Sequence, residues 1–138
     1  MKIPNLNNSF FLVMFGAIPG ALGRYFLGLL FNGPFVIPVG TLLANVAGSF
    51  ILGSVVTLYR LQLVKPAAIT AVGIGFCGSL TTMSTFAIES INLLANSYVL
   101  FLSYLSITLI FIYASAYLGR IAVMLLYVRR NEKWNLEK

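Results

Sequence analysis

The sequence predicts an all-α integral membrane protein in which one domain, residues 1–138, contains four transmembrane helices. Hydrophobic residues make up 59% of the chain and charged residues only 9%, so it has too few polar groups to cover the surface of a soluble fold. Pro4, Pro34 and Pro66 separate apolar blocks, each of about 20 residues or more, the length that a bilayer crossing requires.

The four helices are predicted over about residues 9–30, 36–58, 67–94 and 98–127. The last two are longer than one crossing needs, and such length favours a tilt, an extension into water or an internal break. The third contains three glycines followed by a threonine pair (Gly73, Gly75, Gly78, Thr81 and Thr82). Because this composition makes a poor continuous helix, we predict that the third helix is broken, which leaves backbone carbonyls in need of a partner.

The basic residues predict a topology with both termini on the cytoplasmic side. Seven of the nine Lys and Arg flank the helices on that side: Lys2, Arg60, Lys65, Arg129, Arg130, Lys133 and Lys138. The loops on the opposite side contain none, so the positive-inside rule applies. We expect no cleaved signal peptide, because no small-residue cleavage site precedes a soluble domain.

Composition also excludes several classes of function. The chain has no histidine and a single cysteine, Cys77, so it cannot form a disulfide framework or a Cys/His metal site by itself. No pairing of a nucleophile with a base points to an enzyme. The net charge of +6 lies at the ends of apolar helices and does not predict a nucleic-acid-binding surface.

Polar side chains within the apolar helices are the main pointers to function, because each is costly in hydrocarbon. On the second helix, Thr41, Asn45 and Ser49 recur every four residues and share one face. Such a face serves either to pack helices closely or to line a narrow polar path. Arg24 and Glu89 are the ionisable residues that fall inside the first and third helices, and a structural role and a place in an aqueous vestibule both remain open for them.

Three stretches in this order resemble the Fluc (CrcB) fluoride channel family: residues 20–25 (GALGRY), 40–53 (GTLLANVAGSFILG) and 75–89 (GFCGSLTTMSTFAIE). The resemblance implies passive, selective export of fluoride from the cytoplasm across the inner (plasma) membrane. It implies an antiparallel, dual-topology dimer in the lipid bilayer with two pores, and a central structural sodium ion (Na+) as the only cofactor.

The resemblance also implies roles for particular residues. Asn45 would be the pore amide and Phe86 the second of two aromatic residues that contact the anion, while Gly78 and Thr81 would offer backbone carbonyls to the sodium. The other pore candidates are Thr41 on the second helix, Met83 at the first aromatic position, Thr82 and Ser84 in the broken segment, and Tyr104 and Thr108 on the fourth helix. A selective path for fluoride needs compact donors to replace water, and a phenyl edge adds a weaker contact.

The chain departs from the family pattern in two ways. Met83 stands where the family usually has phenylalanine, and the charge bias predicts a single orientation, whereas a homodimer of this kind inserts in both. The partner is therefore expected to be either a second copy or an oppositely oriented homologous subunit. The alternative functions are a small proton-coupled multidrug exporter, which requires a carboxylate in the first helix, and a non-transporting membrane assembly protein.

Overall fold

The computed structural model describes residues 6–33 and 37–136, and these residues form helices and no strands. The elements in chain order are α1 (Leu6–Phe31), α2 (Val39–Arg60), α3 (Pro66–Ala68), a π-helical segment (Ile69–Cys77), α4 (Gly78–Leu80), α5 (Met83–Asn96) and α6 (Tyr98–Leu136). They make four spans that are long and apolar enough to cross a membrane: Ser9–Phe31, Val39–Arg60, Pro66–Asn96 and Tyr98–Arg130. The predicted all-α class with four apolar spans is confirmed.

Several helix boundaries differ from those predicted, most of all the end of the fourth helix. α6 continues to Leu136 instead of ending near residue 127, because the polar residues after Tyr127 include good helix formers that extend a helix into water. The predicted start of the second helix, Val36, lies outside the described residues, and α2 begins at Val39. Lys2 and Lys138, two of the residues on which the topology prediction rests, also lie outside them.

The third span is interrupted between α4 and α5. Gly73 and Gly75 remain helical within the π-helical segment, and the chain becomes extended at Thr81 (φ −76°, ψ 150°) and Thr82 (φ −146°, ψ 126°). The glycines therefore do not form the interruption, which falls on the threonine pair.

The helices pack in two parallel pairs. Along α1 and the first half of the third span, Gly16 faces Ala71 and Gly20 faces Phe76. A methyl group on Gly20 would collide with the Phe76 carbonyl and the Ser79 hydroxyl, so this glycine is required for the close approach.

In the second pair, α2 and α6, the Ser115 hydroxyl donates to the Val46 carbonyl (2.7 Å) and the Ser54 hydroxyl donates to the Gly119 carbonyl (3.2 Å). Later residues of α2 thus contact later residues of α6, so the two helices are parallel. Because α1 and α2 are antiparallel, the C-terminal ends of α2 and α6 lie at the same end of the bundle as the N-terminal end of the third span.

The interior of the bundle is unusually polar. Among the residues that the structure describes, the buried polar side chains are Thr41, Asn45, Thr57, Thr82, Ser90, Thr108 and Ser115. Large apolar side chains lie mainly on the outside, as on α1, where Phe10, Phe15 and Leu29 are each more than half exposed. Such an arrangement suits a solvent of lipid chains, in which apolar surface needs no burial.

Candidate functional site

The break in the third span is capped by its own threonine. The Thr82 hydroxyl accepts a hydrogen bond from the Thr85 backbone N–H (3.2 Å), as the N-cap residue of a helix does. It also lies 3.1 Å from the Thr85 hydroxyl and 3.3 Å from the Ser84 hydroxyl. The hydroxyl residues of the segment thus form one local network that starts α5.

Asn45 binds the backbone of this break from the neighbouring helix α2. Its amide nitrogen donates to the Thr82 carbonyl (3.1 Å), and its amide oxygen accepts from the Thr82 N–H (2.7 Å). Both residues are buried. The side chain therefore acts as a substitute peptide group, and it satisfies backbone groups that the break would otherwise leave unpaired in a membrane interior.

The same contacts release carbonyl groups just before the break. In a continuous helix the Thr82 N–H would donate to the Gly78 carbonyl and the Thr85 N–H to the Thr81 carbonyl. These donors instead bind Asn45 and the Thr82 hydroxyl. Among the described residues, the carbonyls of Gly78 and Thr81 have no other hydrogen-bond partner. Gly78 is exposed, and the space beside it is open.

A groove of about 240 Å³ adjoins the break on the surface of the subunit. Its lining consists of Asn45, Ser49, Leu52, Thr81, Thr82, Met83 and Ile112. Met83 is 72% exposed, so its side chain is not held by packing within the chain. Polar and apolar side chains thus both line the groove.

A second polar site, which we call the polar cluster, consists of Asn32, Thr41, Glu89 and Tyr104. One carboxylate oxygen of Glu89 accepts hydrogen bonds from the Thr41 hydroxyl (2.7 Å) and the Asn32 amide (3.0 Å). The other oxygen accepts from the Tyr104 hydroxyl (2.8 Å). Three side chains, one just after α1, one from α2 and one from α6, therefore donate to a single carboxylate of α5, which satisfies a charge that would be costly if left unpaired.

Asn32 is a member of the polar cluster that the sequence did not single out. Its amide oxygen accepts from the Thr41 N–H (3.2 Å), and its nitrogen lies 3.1 Å from the Thr41 hydroxyl. Since the residue before α2 is Pro38, which makes no side-chain cap, Asn32 caps α2 from the end of α1. It follows α1 directly and belongs to no motif, so only the contact itself reveals it.

The ring of Phe86 packs against Tyr104, the member of the polar cluster that lies on α6. Their ring centroids are 5.2 Å apart with an interplanar angle of 45°, and their exposed fractions are 4% and 0%. Thr108 lies one turn after Tyr104 and is 1% exposed. Its hydroxyl has no hydrogen-bond partner among the described residues.

The structure therefore sorts the predicted site residues into two groups and leaves some apart. Thr82, Ser84 and Asn45 meet at the break, and Thr41, Glu89 and Tyr104 meet in the polar cluster. Arg24 joins neither group. It is half-buried and makes no hydrogen bond or ion pair with any described residue.

Comparison with known proteins gives consistent matches over most of the chain. A sequence profile of the family described as CrcB-like protein, Camphor Resistance (CrcB), matches residues 11–120. The chain is 38% identical over 117 residues to the fluoride-specific ion channel FluC of Thermosipho melanesiensis, which covers 81% of this chain and 93% of that protein.

Two further relatives carry the same description. The protein of Shewanella sediminis is 41% identical over 95 residues, 66% of this chain and 74% of that protein. The protein of Leptospira interrogans serovar copenhageni is 36% identical over 110 residues, 77% of this chain and 87% of that protein. The matched region contains both groups of polar side chains.

Proposed function

The chain belongs to the CrcB family, whose profile covers residues 11–120, and we propose that it forms a passive, fluoride-selective channel in the inner membrane of the cell. Membership of this family makes it a multi-pass membrane channel subunit and not an enzyme. Hydrogen fluoride crosses membranes as a neutral acid and dissociates inside. A passive path for the anion is therefore enough to lower the cytoplasmic level of fluoride, and no coupling machinery is needed.

The observation that carries this proposal is the unpartnered hydroxyl of Thr108, buried beside Tyr104 within the bundle. Fluoride is small and strongly hydrated, so a selective path must offer compact donors in place of water. A buried hydroxyl without a partner normally costs stability. Here it is a donor that can bind an anion without first breaking a bond within the protein.

The neighbouring groups extend this path from Thr108 to the polar cluster. Glu89 already accepts hydrogen bonds from Tyr104, Thr41 and Asn32. Each of these donors can therefore bind an anion only by giving up its hydrogen bond to Glu89. Glu89 holds the donors in place between such exchanges. The positive edge of the Phe86 ring offers a weak contact, which lets the ion leave.

The released carbonyls at the break fit the structural sodium ion expected for such a channel. Backbone carbonyls freed by a broken membrane helix are typical ligands for sodium, and Gly78 and Thr81 have such carbonyls. A bound sodium ion would supply positive charge that stabilises the break. Two subunits facing each other at this surface would together offer four carbonyls.

We propose an antiparallel dimer as the assembly, with the groove beside Met83 at the contact between subunits. The charge bias of the chain favours a specific alternative, in which the partner is a homologous subunit of opposite bias. Expression with a tag on either terminus, followed by protease accessibility from each side, tests the choice. Both orientations of this chain would support the homodimer, and one fixed orientation would support the heteromer.

Two features disfavour the alternative functions, a drug exporter and a non-transporting assembly protein. A proton-coupled drug exporter needs an acidic residue in the first span to bind cation and proton by turns, and that span carries Arg24 and no acid. A non-transporting assembly protein has no use for an unpartnered hydroxyl in its interior. The fluoride efflux experiment described next also tests both alternatives.

The experiment is fluoride efflux from liposomes that contain the purified chain, measured with a fluoride electrode and compared with chloride. Fast fluoride efflux with little chloride efflux is expected. Thr108→Val should reduce it about tenfold or more, whereas the unfolding temperature should stay the same or rise, because the change removes an unsatisfied group. Equal passage of chloride would refute selectivity.

Ser115→Ala is the matched control on the same helix. Its hydroxyl is buried as well but donates to the Val46 carbonyl (2.7 Å), so its loss should lower stability and leave efflux nearly unchanged. If the two variants reduced efflux equally, the path would not depend on the free hydroxyl of Thr108.

A further inference from the structure

Two cavities lie away from both polar sites, at the end of the bundle where α2 ends and the third span begins. The first, which we call the end groove, has a volume of about 250 Å³ and is lined by Leu58, Leu63, Val123, Leu126, Tyr127 and Arg130. The second, which we call the loop pocket, has a volume of about 370 Å³ and is lined by Tyr59, Arg60, Gln62, Val64 and Pro66. They adjoin because residues 58–64 contribute to both.

The turn that separates these cavities has a defined geometry. The Leu63 N–H donates to the Leu58 carbonyl (2.9 Å) and the Gln62 N–H donates to the Tyr59 carbonyl (3.0 Å), which is the Schellman pattern of a helix C-terminus. This pattern places Leu58 and Leu63 together, as their shared place in the end groove reflects. The helix cap therefore supplies two of the apolar side chains that line the end groove.

The same cap holds a residue in an unfavourable conformation. Gln62 has φ 58°, and it is the only non-glycine residue with positive φ among those described. Glycine is the usual residue at this position of the Schellman pattern because it adopts the conformation without cost. Here the position is held by Gln62, which lines the loop pocket together with Arg60. Backbone strain of this kind is typical of binding sites.

The chemistry of the linings points to one kind of ligand. Each cavity contains one arginine and one tyrosine, and no carboxylate is present in the linings that the described residues form. The apolar spans end at Arg60 and Arg130, so both arginines lie at headgroup level, where tyrosines also concentrate. An apolar groove that opens beside these positive charges matches an acyl chain joined to a phosphate.

We propose that this end of the bundle binds one anionic phospholipid, with an acyl chain in the end groove and the phosphate held by Arg130 and Arg60. The Gln62 amide and the Tyr127 hydroxyl add hydrogen-bond donors to the headgroup. Basic pockets between membrane helices bind anionic headgroups in this way. The site is separate from the proposed fluoride path, since no residue is shared between them.

The test is a lipid titration of the purified chain in nonionic detergent, read by native mass spectrometry as the fraction of chains with lipid bound. The probes are dioleoyl phosphatidylglycerol, dioleoyl phosphatidylcholine with the same acyl chains, and glycerol phosphate without them. Phosphatidylglycerol should bind at least tenfold more tightly than phosphatidylcholine. Glycerol phosphate should not displace it at equal concentration. Equal binding of the two lipids, or full displacement by glycerol phosphate, would overturn the proposal.

Matched variants locate the site. Arg130→Gln and Arg60→Gln should each weaken phosphatidylglycerol binding about fivefold, and together about 25-fold, because each loses a charged hydrogen bond to the phosphate and a fivefold change corresponds to about 1 kcal/mol. Arg129→Gln and Lys65→Gln remove the same charge from neighbours outside both linings, and they should change binding less than twofold. Equal effects of Arg129→Gln and Arg130→Gln would show that only diffuse charge attracts the lipid.

A third variant tests the acyl chain. Leu126 is 67% exposed, so Leu126→Asn should leave the fold intact, as size-exclusion chromatography of the variant would verify. It should weaken phosphatidylglycerol binding severalfold. Unchanged binding in the folded Leu126→Asn variant would refute the acyl-chain groove.

Discussion

The two halves of the third span are held in different ways. Before the break, backbone packs against backbone, with Gly20 of α1 next to the Phe76 carbonyl and the Ser79 hydroxyl donating to the Ala17 carbonyl (2.9 Å). After the break, α5 packs against α6, and its Glu89 joins the polar cluster. Close packing allows little movement, whereas side-chain hydrogen bonds can exchange partners. The first half is thus a fixed frame, and the second carries adjustable donors.

Asn45→Leu should have the largest effect, because Asn45 ties the frame to the start of α5. The change leaves both the N–H and the carbonyl of Thr82 without partners in a buried site, and each unsatisfied group costs about 1–3 kcal/mol. We expect loss of fluoride efflux and a large fall in the unfolding temperature, measured in detergent. Asn45→Asp keeps an acceptor for the Thr82 N–H and should be intermediate. Wild-type stability in Asn45→Leu would mean that water or another group satisfies the break.

Gly20→Ala tests the frame itself. A methyl group at this position meets backbone that has little room to move, so we expect destabilisation of about 1–3 kcal/mol, the usual cost of overpacking. Gly28→Ala is the control in the same helix, since its methyl group would lie 3.7 Å from the nearest atom, the Asn32 amide nitrogen. Thermal unfolding should separate the two. A neutral Gly20→Ala would show that α1 and the third span can move apart.

Tyr104→Phe tests the adjustable half. It removes the hydrogen bond to Glu89 (2.8 Å) but keeps the ring contact with Phe86, so stability should fall by about 1 kcal/mol or less. Fluoride efflux should fall severalfold, because one donor is lost. Glu89→Gln should also lower efflux, since an amide holds the three donors less firmly than a carboxylate. Unchanged efflux in both variants would place the polar cluster outside the path.

Met83→Phe should have the smallest effect on stability, because the Met83 side chain is 72% exposed and has few contacts to lose. Fluoride efflux should be equal to that of the unaltered chain or higher, since the change introduces a ring edge. Phe86→Met is the counterpart at a buried position and should lower both quantities, because the ring contact with Tyr104 is lost. Equal effects of the two variants on efflux and stability would contradict the expectation that the buried position is more sensitive than the exposed one.

The sequence predicted more of the fold than of the site. Apolar block lengths suffice to predict four spans, and the cost of polar groups in hydrocarbon suffices to single out Asn45 and Glu89. Spacing could not predict that Asn45 binds the Thr82 backbone, because that contact depends on how two helices align. Asn32 was missed for the same reason. The π-helical segment was also missed, because Gly73 and Gly75 predict a weak helix but do not indicate a π-helix.

This π-helical segment sets the rotational phase of everything that follows it. A residue added to or removed from an α-helix turns the rest of the helix by about 100°, and π-helical turns absorb such an offset within the span. If Ile69–Cys77 became an α-helix without losing a residue, Thr82 would turn away from Asn45. The π-helical turns therefore set the orientation of the residues that follow them. The third span can pack along α1 and still direct the backbone of its break at α2.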